Sequence, residues 1–330
     1  MKKYVILGGN GVFGVHTARY LLEHANPKKV ICVGRNPEKP EPFTLNVGRN
    51  DDRYAYHQIH IVFEIDRLLE LLDSERPDVI INYAAQGEGA ASWSNSWRYF
   101  ETNAVAIARM TEELAKRDYL ERWIQIGTSE LYGSVNRPAR EEDPIHPTSP
   151  YAASKAAGDM HLIAVSSVLN FPMNIVRPSN AYAPGQLLHR IIPRAVVAGL
   201  TKKRIPLHGG GKARKSYLHA EDLARAIHLI ADSAPLGRVY NVGPEEPIEI
   251  RDLVEKLAAM MGLGMNELCE PSPDRLGEDW VYWLDSSLIQ KELGWAPQIS
   301  IEEGLRDMIK WGETYLDQLK DWPVEYIFRA

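Results

Sequence analysis

Tyr4-Val5-Ile6-Leu7-Gly8-Gly9-Asn10-Gly11-Val12-Phe13-Gly14 decides the fold. Four apolar residues make a short buried strand and the glycines end it. Val12 then opens a helical pattern that runs to His24 and stops before Asn26-Pro27. Gly8, Gly11 and Gly14 are spaced three apart. The first permits a tight turn, the second lets backbone approach a pyrophosphate, and the third lets helix and strand pack closely. The helix start offers unpaired N–H groups to an anion. Any glycine-rich turn could show this spacing. Its place between a first strand and a first helix makes it a dinucleotide cradle, with Val12 and Phe13 on its rim.

Outward from this loop the pattern repeats. Strands are predicted at Lys29–Val33, Tyr54–Ile61, Asp78–Tyr83, Arg122–Ile126 and Met173–Val176. Helices are predicted at Glu64–Arg76, Trp97–Lys116 and Tyr151–Asn170. Apolar strands alternating with helices imply an α/β fold, a Rossmann-type doubly wound parallel sheet covered on both faces. After Arg177 prolines and glycines become frequent and regularity falls off, as in binding loops grafted on a sheet. Helical patterns return at Ala220–Ala231, Ile250–Met261 and Ile301–Leu319. The expected division is a dinucleotide-binding domain at 1–178, with parts of 216–245. A smaller, mostly C-terminal α/β substrate region takes 179–215 and 246–330.

The 330 residues are 45% hydrophobic and 25% charged, close to the globular average, with a net charge of −6. A mildly acidic chain argues against a nucleic-acid binder. No run reaches the length of a membrane span, and the expected location is the cytoplasm. Cys32 and Cys269 are expected to stay reduced. No CxxC or HExxH occurs, so no metal is expected, and His57, His60, His189 and His208 read as structural or solvated.

The second strand ends in Gly34-Arg35-Asn36 rather than in an acid that would hold a ribose 2′-hydroxyl. Arg35 can pair with a 2′-phosphate, so NADP is expected over NAD; a solvated Arg35 stacking on adenine would leave NAD possible. Tyr151-Ala152-Ala153-Ser154-Lys155 puts a phenol and an ammonium one helical turn apart on one face. The ammonium is expected to pull the phenol pKa down from about 10 toward neutrality, making Tyr151 a base. The fifth strand ends in Gly127-Thr128-Ser129-Glu130-Leu131-Tyr132-Gly133, where side chains point into the ligand crevice. Thr128 can donate to a substrate oxygen and Glu130 can move a proton; as a bare loop acid, Glu130 would only cap or be solvated.

Gly8-x-x-Gly11-x-x-Gly14, Thr128-x-Glu130 and Tyr151-x-x-x-Lys155 together resemble the extended short-chain dehydrogenase/reductase family. Later segments extend the likeness over nearly the whole chain. They are Arg177-Pro178-Ser179-Asn180-Ala181-Tyr182, Gly209 to Tyr217, His219 to Ala224, Tyr240-Asn241-Val242-Gly243, Asp274-Arg275-Leu276-Gly277 and Leu293-Gly294-Trp295-Ala296-Pro297. Thr-Ser-Glu-Leu-Tyr-Gly is similar to GDP-mannose 4,6-dehydratases, and the later segments look more like dTDP-glucose 4,6-dehydratases. Four positions depart from that pattern: Ser129 for the usual Asp, Glu88 for a histidine, Gln58 for an acid, and Ala183 within Tyr-Gly-Pro.

The resemblance implies a lyase, an NDP-sugar 4,6-dehydratase. Tyr151 takes the O4 proton while the C4 hydride passes to NADP. Glu130 then removes the C5 proton, water leaves from C6, and the hydride returns to C6. It implies cofactor contacts from Gly8, Gly11, Val12, Phe13, Gly14, Arg35, Ala84, Ala85, Gln86, Asn103, Tyr151 and Lys155. It implies substrate contacts from Ser92, Asn180, Arg190, Arg214, Asn241 and Arg275, the arginines facing a diphosphate. It implies a homodimer, in which Trp97–Lys116 and Tyr151–Asn170 pair as a four-helix bundle. The second of these carries apolar Leu162, Ile163, Val165, Val168 and Leu169. An NDP-sugar 4-epimerase or related nucleotide-sugar oxidoreductase would share Tyr151, Lys155 and the cofactor without needing Glu130. A non-catalytic NADP-sensing module would have no use for Tyr151 and Lys155.

Overall fold

The computed structural model describes residues 1–273 and 279–328. Seven strands form the central sheet: β1 (Lys3–Leu7), β2 (Lys29–Gly34), β3 (Tyr54–Gln58), β4 (Val79–Asn82), β5 (Arg122–Ile126), β6 (Met173–Pro178) and β7 (Val239–Val242). Their spatial order is β7-β6-β5-β4-β1-β2-β3 and every pair is parallel. The order reverses between β1 and β4, so a crevice opens outside their carboxyl ends. The longer helices are α1 (Val12–His24), α2 (Ile65–Glu75), the three-part α3 (Ser96–Phe100, Glu101–Val105 and Ala106–Leu114), α4 (Pro150–Leu169), α5 (Ile191–Leu200), α6 (Ala220–Ser233), α7 (Ile250–Met260) and α8 (Ile301–Thr314). One sheet face buries Ile6, Val30, Ile81 and Ile124 against Val15, Leu21, Ile227 and Ile230 of α1 and α6. The other buries Val5, Ile31 and Ile80 against Leu68, Ile107, Met110 and Leu162 of α2, α3 and α4.

Local chemistry sets the ends of these elements. α4 starts where the Ser149 hydroxyl accepts the Ala152 N–H at 3.1 Å and Pro150 takes the first turn; it ends at Asn170 with φ 54°. α8 opens on a reciprocal Ser300–Glu303 capping box. The predicted third strand stops early, at Gln58, because its partner β2 ends at Gly34. The ring nitrogen Nδ1 of His60 then accepts the Val62 N–H at 3.2 Å and the chain turns into α2.

The helix predicted over Trp97–Lys116 is interrupted. It runs as Ser96–Phe100, a π-helical turn Glu101–Val105, and Ala106–Leu114. The extra residue sits where Gly158 of α4 presses on this segment: a Cβ on Gly158 would lie 2.3 Å from the Asn103 carbonyl. The stretch after Arg177 is more regular than expected. α5 was hidden by Pro193, which falls in its first turn, where a missing N–H costs nothing. Around α5, α7 and α8 a third core forms, with Tyr182, Leu188, Val196, Leu253, Leu257, Leu305 and Trp311. Small sheets complete it: Asn180–Tyr182 pairs with Tyr217–His219, and Arg214–Lys215 with Ile248–Glu249 and Val281–Tyr282. Cys32 and Cys269 are buried free thiols. No described helix is long and apolar enough to cross a membrane.

Candidate active site

The turn from β1 to α1 is built from glycines that nothing larger could replace. Gly8 has φ +81°, and a Cβ there would meet the Ala84 nitrogen at 2.7 Å. A Cβ on Gly14 would meet the Gly8 carbonyl at 2.7 Å. Gly9, outside the predicted spacing, is required too, because its Cβ would fall 2.5 Å from Cys32 Cβ. Gly11 caps α1 with no side-chain bond, so the first N–H groups of the helix stay available to an anion. This cradle fits a dinucleotide pyrophosphate.

A cavity of about 820 Å³ starts at this loop and runs along the carboxyl ends of the strands. Gly8, Gly11, Val12, Phe13, Gly14, Arg35, Ala84, Ala85 and Gln86 line one end. Thr128, Glu130, Tyr151, Lys155, Asn180 and Arg190 line the other. Asn103 does not line it. From the π-turn its Oδ1 accepts the Gln86 N–H at 2.8 Å, and its Nδ2 donates to the Gln86 carbonyl at 3.0 Å and to Ser154 Oγ at 2.9 Å. It braces the wall rather than touching the contents. At the end of β2, Arg35 Nη1 reaches Gln86 Oε1 at 3.4 Å, and Lys39, a second cation on that wall, donates to the Asn10 carbonyl at 2.6 Å.

The reacting end differs from expectation in its electrostatics. Burial pushes the Tyr151 phenol up from its ordinary value, and Glu130 adds to the rise; a hydrogen bond with Thr128 and the charge of Arg190 oppose it. The Lys155 ammonium is aimed at backbone: Nζ donates to the Ile126 carbonyl at 2.5 Å. Burial lowers its pKa to about 8, against the pull of Asp159 one turn on. So the expected drop of the Tyr151 pKa toward neutrality is not found: in a low-dielectric cleft the cost of a bare phenolate outweighs nearby positive charge.

Glu130 stands in a 3₁₀ turn, Ser129–Tyr132, capped by Thr128, whose Oγ1 accepts the Glu130 N–H at 3.2 Å. Deep placement raises its carboxyl to about 7, with Glu88 and Asp279 adding and Arg190 and Lys215 opposing. That value suits a group that must both take and give a proton near neutrality. Around it lies a set of residues not foreseen from sequence. Lys215 is buried 3.6 Å over the Tyr282 ring and donates to the Asp279 carbonyl. The Asp279 carboxylate accepts from Thr148 at 2.5 Å and from Tyr282 at 2.8 Å. Glu88, with φ +80°, pairs with Arg190 at 3.2 Å. Among the described residues no group of His, Cys, Asp or Glu could hold a metal ion.

Three expected substrate contacts lie away from the cavity. Arg214 is exposed, and its strand neighbour Lys215 lines the wall instead, since adjacent strand residues face opposite sides. Asn241 is buried in β7, donating to the Ala139 carbonyl at 2.9 Å and accepting from Tyr132 at 3.0 Å. Ser92 is buried and donates to the Gly89 carbonyl at 2.6 Å. Arg275 lies outside the described residues.

A doubly wound sheet, a glycine cradle and a Tyr-x-x-x-Lys pair at the strand ends define an extended short-chain dehydrogenase/reductase. A family profile described as GDP-mannose 4,6 dehydratase matches residues 5–308. The chain belongs to that family. It is 28% identical over 337 residues to a dTDP-glucose 4,6-dehydratase of Haemophilus influenzae, covering 94% of this chain and 98% of that one. It is 26% identical over 314 residues to a trifunctional UDP-glucose 4,6-dehydratase, UDP-4-keto-6-deoxy-D-glucose 3,5-epimerase and UDP-4-keto-L-rhamnose reductase of Arabidopsis thaliana. That match takes in 94% of this chain and only 47% of the plant protein, so the chain spans about half its length. The solved dTDP-glucose 4,6-dehydratase of Streptomyces venezuelae, with NAD bound, superposes with a TM-score of 0.89 at 27% identity, over 96% of this chain and 99% of that one.

Proposed function

We propose that the chain is an NDP-sugar 4,6-dehydratase that works with a bound nicotinamide dinucleotide in the cytoplasm. The observation that carries this reading is the placement of Thr128, Glu130, Tyr151 and Lys155 at one end of a cavity whose other end is the glycine cradle. When bound, the nicotinamide supplies reversible two-electron chemistry, taking hydride from sugar C4 and returning it to C6, and brings a positive charge beside the phenol. Tyr151 takes the O4 proton while Thr128 holds the same oxygen by a hydrogen bond. Lys155, fixed by the Ile126 carbonyl, supports the ribose and the charge of the pair. Once C4 is a ketone the C5 proton is acidic, and Glu130 removes it. Ser129 brings no carboxylic acid, so the newly protonated Glu130 gives its proton to the departing C6 hydroxyl and water leaves. Arg190 and Lys215, with Asn180 beside them, face the diphosphate end of the substrate.

Incubation with a panel of NDP-sugars tests this. Loss of one water by mass, with 4-keto absorbance in alkali, is the expected outcome. Ser129 also suits a 4-epimerase, and a C4 epimer of unchanged mass would establish that reading instead.

We further propose NADP over NAD, from Arg35 and Lys39 on the ribose wall and from Glu38 being engaged with the Tyr54 hydroxyl at 3.1 Å. Arg35→Ala should weaken NADP binding by about 1.5–3 kcal/mol and leave NAD nearly unchanged. Equal affinities of the unaltered chain for both cofactors in calorimetry would refute it.

We also propose a homodimer. Leu162 turns out to be buried and Ile163 and Val165 pack on the core, so the apolar stripe expected on α4 is largely used inside the subunit. Val168 and Leu169 of that stripe stay exposed, together with Met160 on the same helix and Trp97, Phe100 and Val105 on the other. Light scattering at micromolar concentration should give twice the chain mass, and Val105→Glu should shift it toward the monomer; a monomer mass for the unaltered chain counts against the dimer.

A further inference from the structure

The family match ends at residue 308, yet the chain continues past α8 and returns to the cavity. Trp322, Pro323, Glu325, Tyr326 and Ile327 all line it. The segment is not a loose tail lying on the surface. Trp322, Tyr326 and Phe328 turn inward while the residues between them stay exposed. Each inward ring has its own seat. Trp322 packs on Phe43 with centroids 4.4 Å apart. The Tyr326 hydroxyl donates to the Gly87 carbonyl at 3.0 Å, and its ring meets His189 edge-on at 5.3 Å. Phe328 reaches Tyr99 at 6.2 Å. The Glu325–Arg194 pair, 3.2 Å long with its carboxylate largely in solvent, adds little. The aromatic seats hold the segment.

These seats lie on both sides of the groove. Gly87 follows β4 on the sheet side, just past Ala84-Ala85-Gln86, and Tyr99 lies in α3. His189 and Arg194 belong to the C-terminal region, at and within the start of α5. Tyr326 also lies close enough to Arg35 for that charge to act on its phenol. Arg35, Gly87 and this segment line the same cavity as the glycine cradle and Tyr151, so a dinucleotide laid between the last two would run beside the crossing.

We propose that Trp322–Phe328 is a strap that retains the cofactor, with Trp322 and Tyr326 walling in the bound dinucleotide and slowing its release. This rests on the nicotinamide reading above and is consistent with its chemistry. A hydride taken from C4 and returned to C6 leaves the cofactor as it began, so nothing in the cycle requires it to exchange. The strap lifts only for loading.

The test is the release rate of NADPH, followed by loss of its fluorescence when excess NADP displaces it in a stopped-flow instrument, with NADH run in parallel. It compares the full chain, a chain ended after Asp321, and Tyr326→Ala, which leaves Trp322 and Phe328 seated if the truncated chain folds poorly. Release is expected to be about tenfold faster or more in both variants, since lost contacts act mainly on dissociation. Amide exchange across 322–328 in the full chain is expected to slow when NADPH is added. Unchanged release in Tyr326→Ala and in the truncated chain overturns the strap while leaving the cofactor reading intact. Failure of the full chain to bind either dinucleotide overturns the cofactor reading itself.

Discussion

Tyr151→Phe is expected to lower turnover on the preferred NDP-sugar by about 10²–10⁴-fold, with thermal unfolding unchanged within a degree or two. The change removes one oxygen. Tyr151 is not a core prop: its ring faces the cavity, and its hydroxyl bond is to Thr128, which also caps the turn behind it. What is lost is the hydroxyl proposed to receive the O4 proton. Burial raises the phenol, so Tyr151 must first lose its own proton before it can take the one on O4, and the positive charges of Lys155 and of a bound nicotinamide would favour that loss. Bound cofactor should therefore stay oxidised in the variant when sugar is added, with no reduced-nicotinamide absorbance in a single turnover. Lys155→Ala should give a comparable loss, since it removes the ammonium that favours the phenolate, while the Ile126 carbonyl keeps the Gln125 Nε2 donor at 3.2 Å. Near-normal rates in either variant would remove the pair from the reaction.

The parts of this site legible in the sequence share one property: their chemistry is carried by neighbours in the chain. The glycine cradle, the Thr128–Glu130 strand exit and the Tyr151–Lys155 turn each need only a local element to place them. The boundaries of α1 and β5 were read to the residue for the same reason, as a cap or a strand of unbroken burial is a local matter. The parts not legible depend on register or on distant packing. Arg214 and Lys215 are adjacent, and a one-residue shift along a two-residue strand exchanges the wall for solvent. Asn241 looks like a ligand in a Tyr-Asn-Val-Gly segment, but β7 is the outermost strand beside β6 and turns it toward Tyr132 and Ala139. Gly9 is dictated by Cys32 on the neighbouring strand. The pKa of Tyr151 could not be read from its spacing to Lys155, because spacing gives proximity and says nothing of burial. Trp322 and Tyr326 carry no motif; only the path of the chain brings them to the groove.

Glu130→Gln is expected to separate sugar oxidation from loss of water. Hydride departure from C4 needs Tyr151 and Thr128 but no carboxylate, whereas the C5 proton needs a base. Among the described residues Asp279 and Glu88 are the carboxylates whose charge acts on Glu130, and both are committed. Asp279 accepts from Thr148 and Tyr282, and Glu88 pairs with Arg190. Glutamine keeps size and hydrogen bonding but removes basicity, at a cost of about 10²–10⁴-fold for the elimination. The variant should reduce its bound cofactor on addition of sugar and then stall, forming little 4-keto-6-deoxy product. The pH dependence gives a second check. Because the Glu130 carboxyl is raised to about 7, the basic form is scarce below that pH and predominates above it. Single-turnover elimination in the unaltered chain should therefore fall as pH drops through about 7, and the residual rate of Glu130→Gln should lack that fall. The same raised value sets the sign for stability. The folded state holds this proton more tightly than the unfolded one, so folding gains as pH falls through 7 toward the ordinary carboxyl range. Above 7 the folded chain bears the cost of a buried carboxylate that glutamine does not have. Glu130→Gln should thus melt no lower than the unaltered chain at pH 8, so that a stalled reaction cannot be attributed to a damaged fold. Normal formation of the 4-keto-6-deoxy product by this variant would remove Glu130 from the elimination, whereas a C4 epimer of unchanged mass from the unaltered chain would replace the dehydratase assignment with the epimerase.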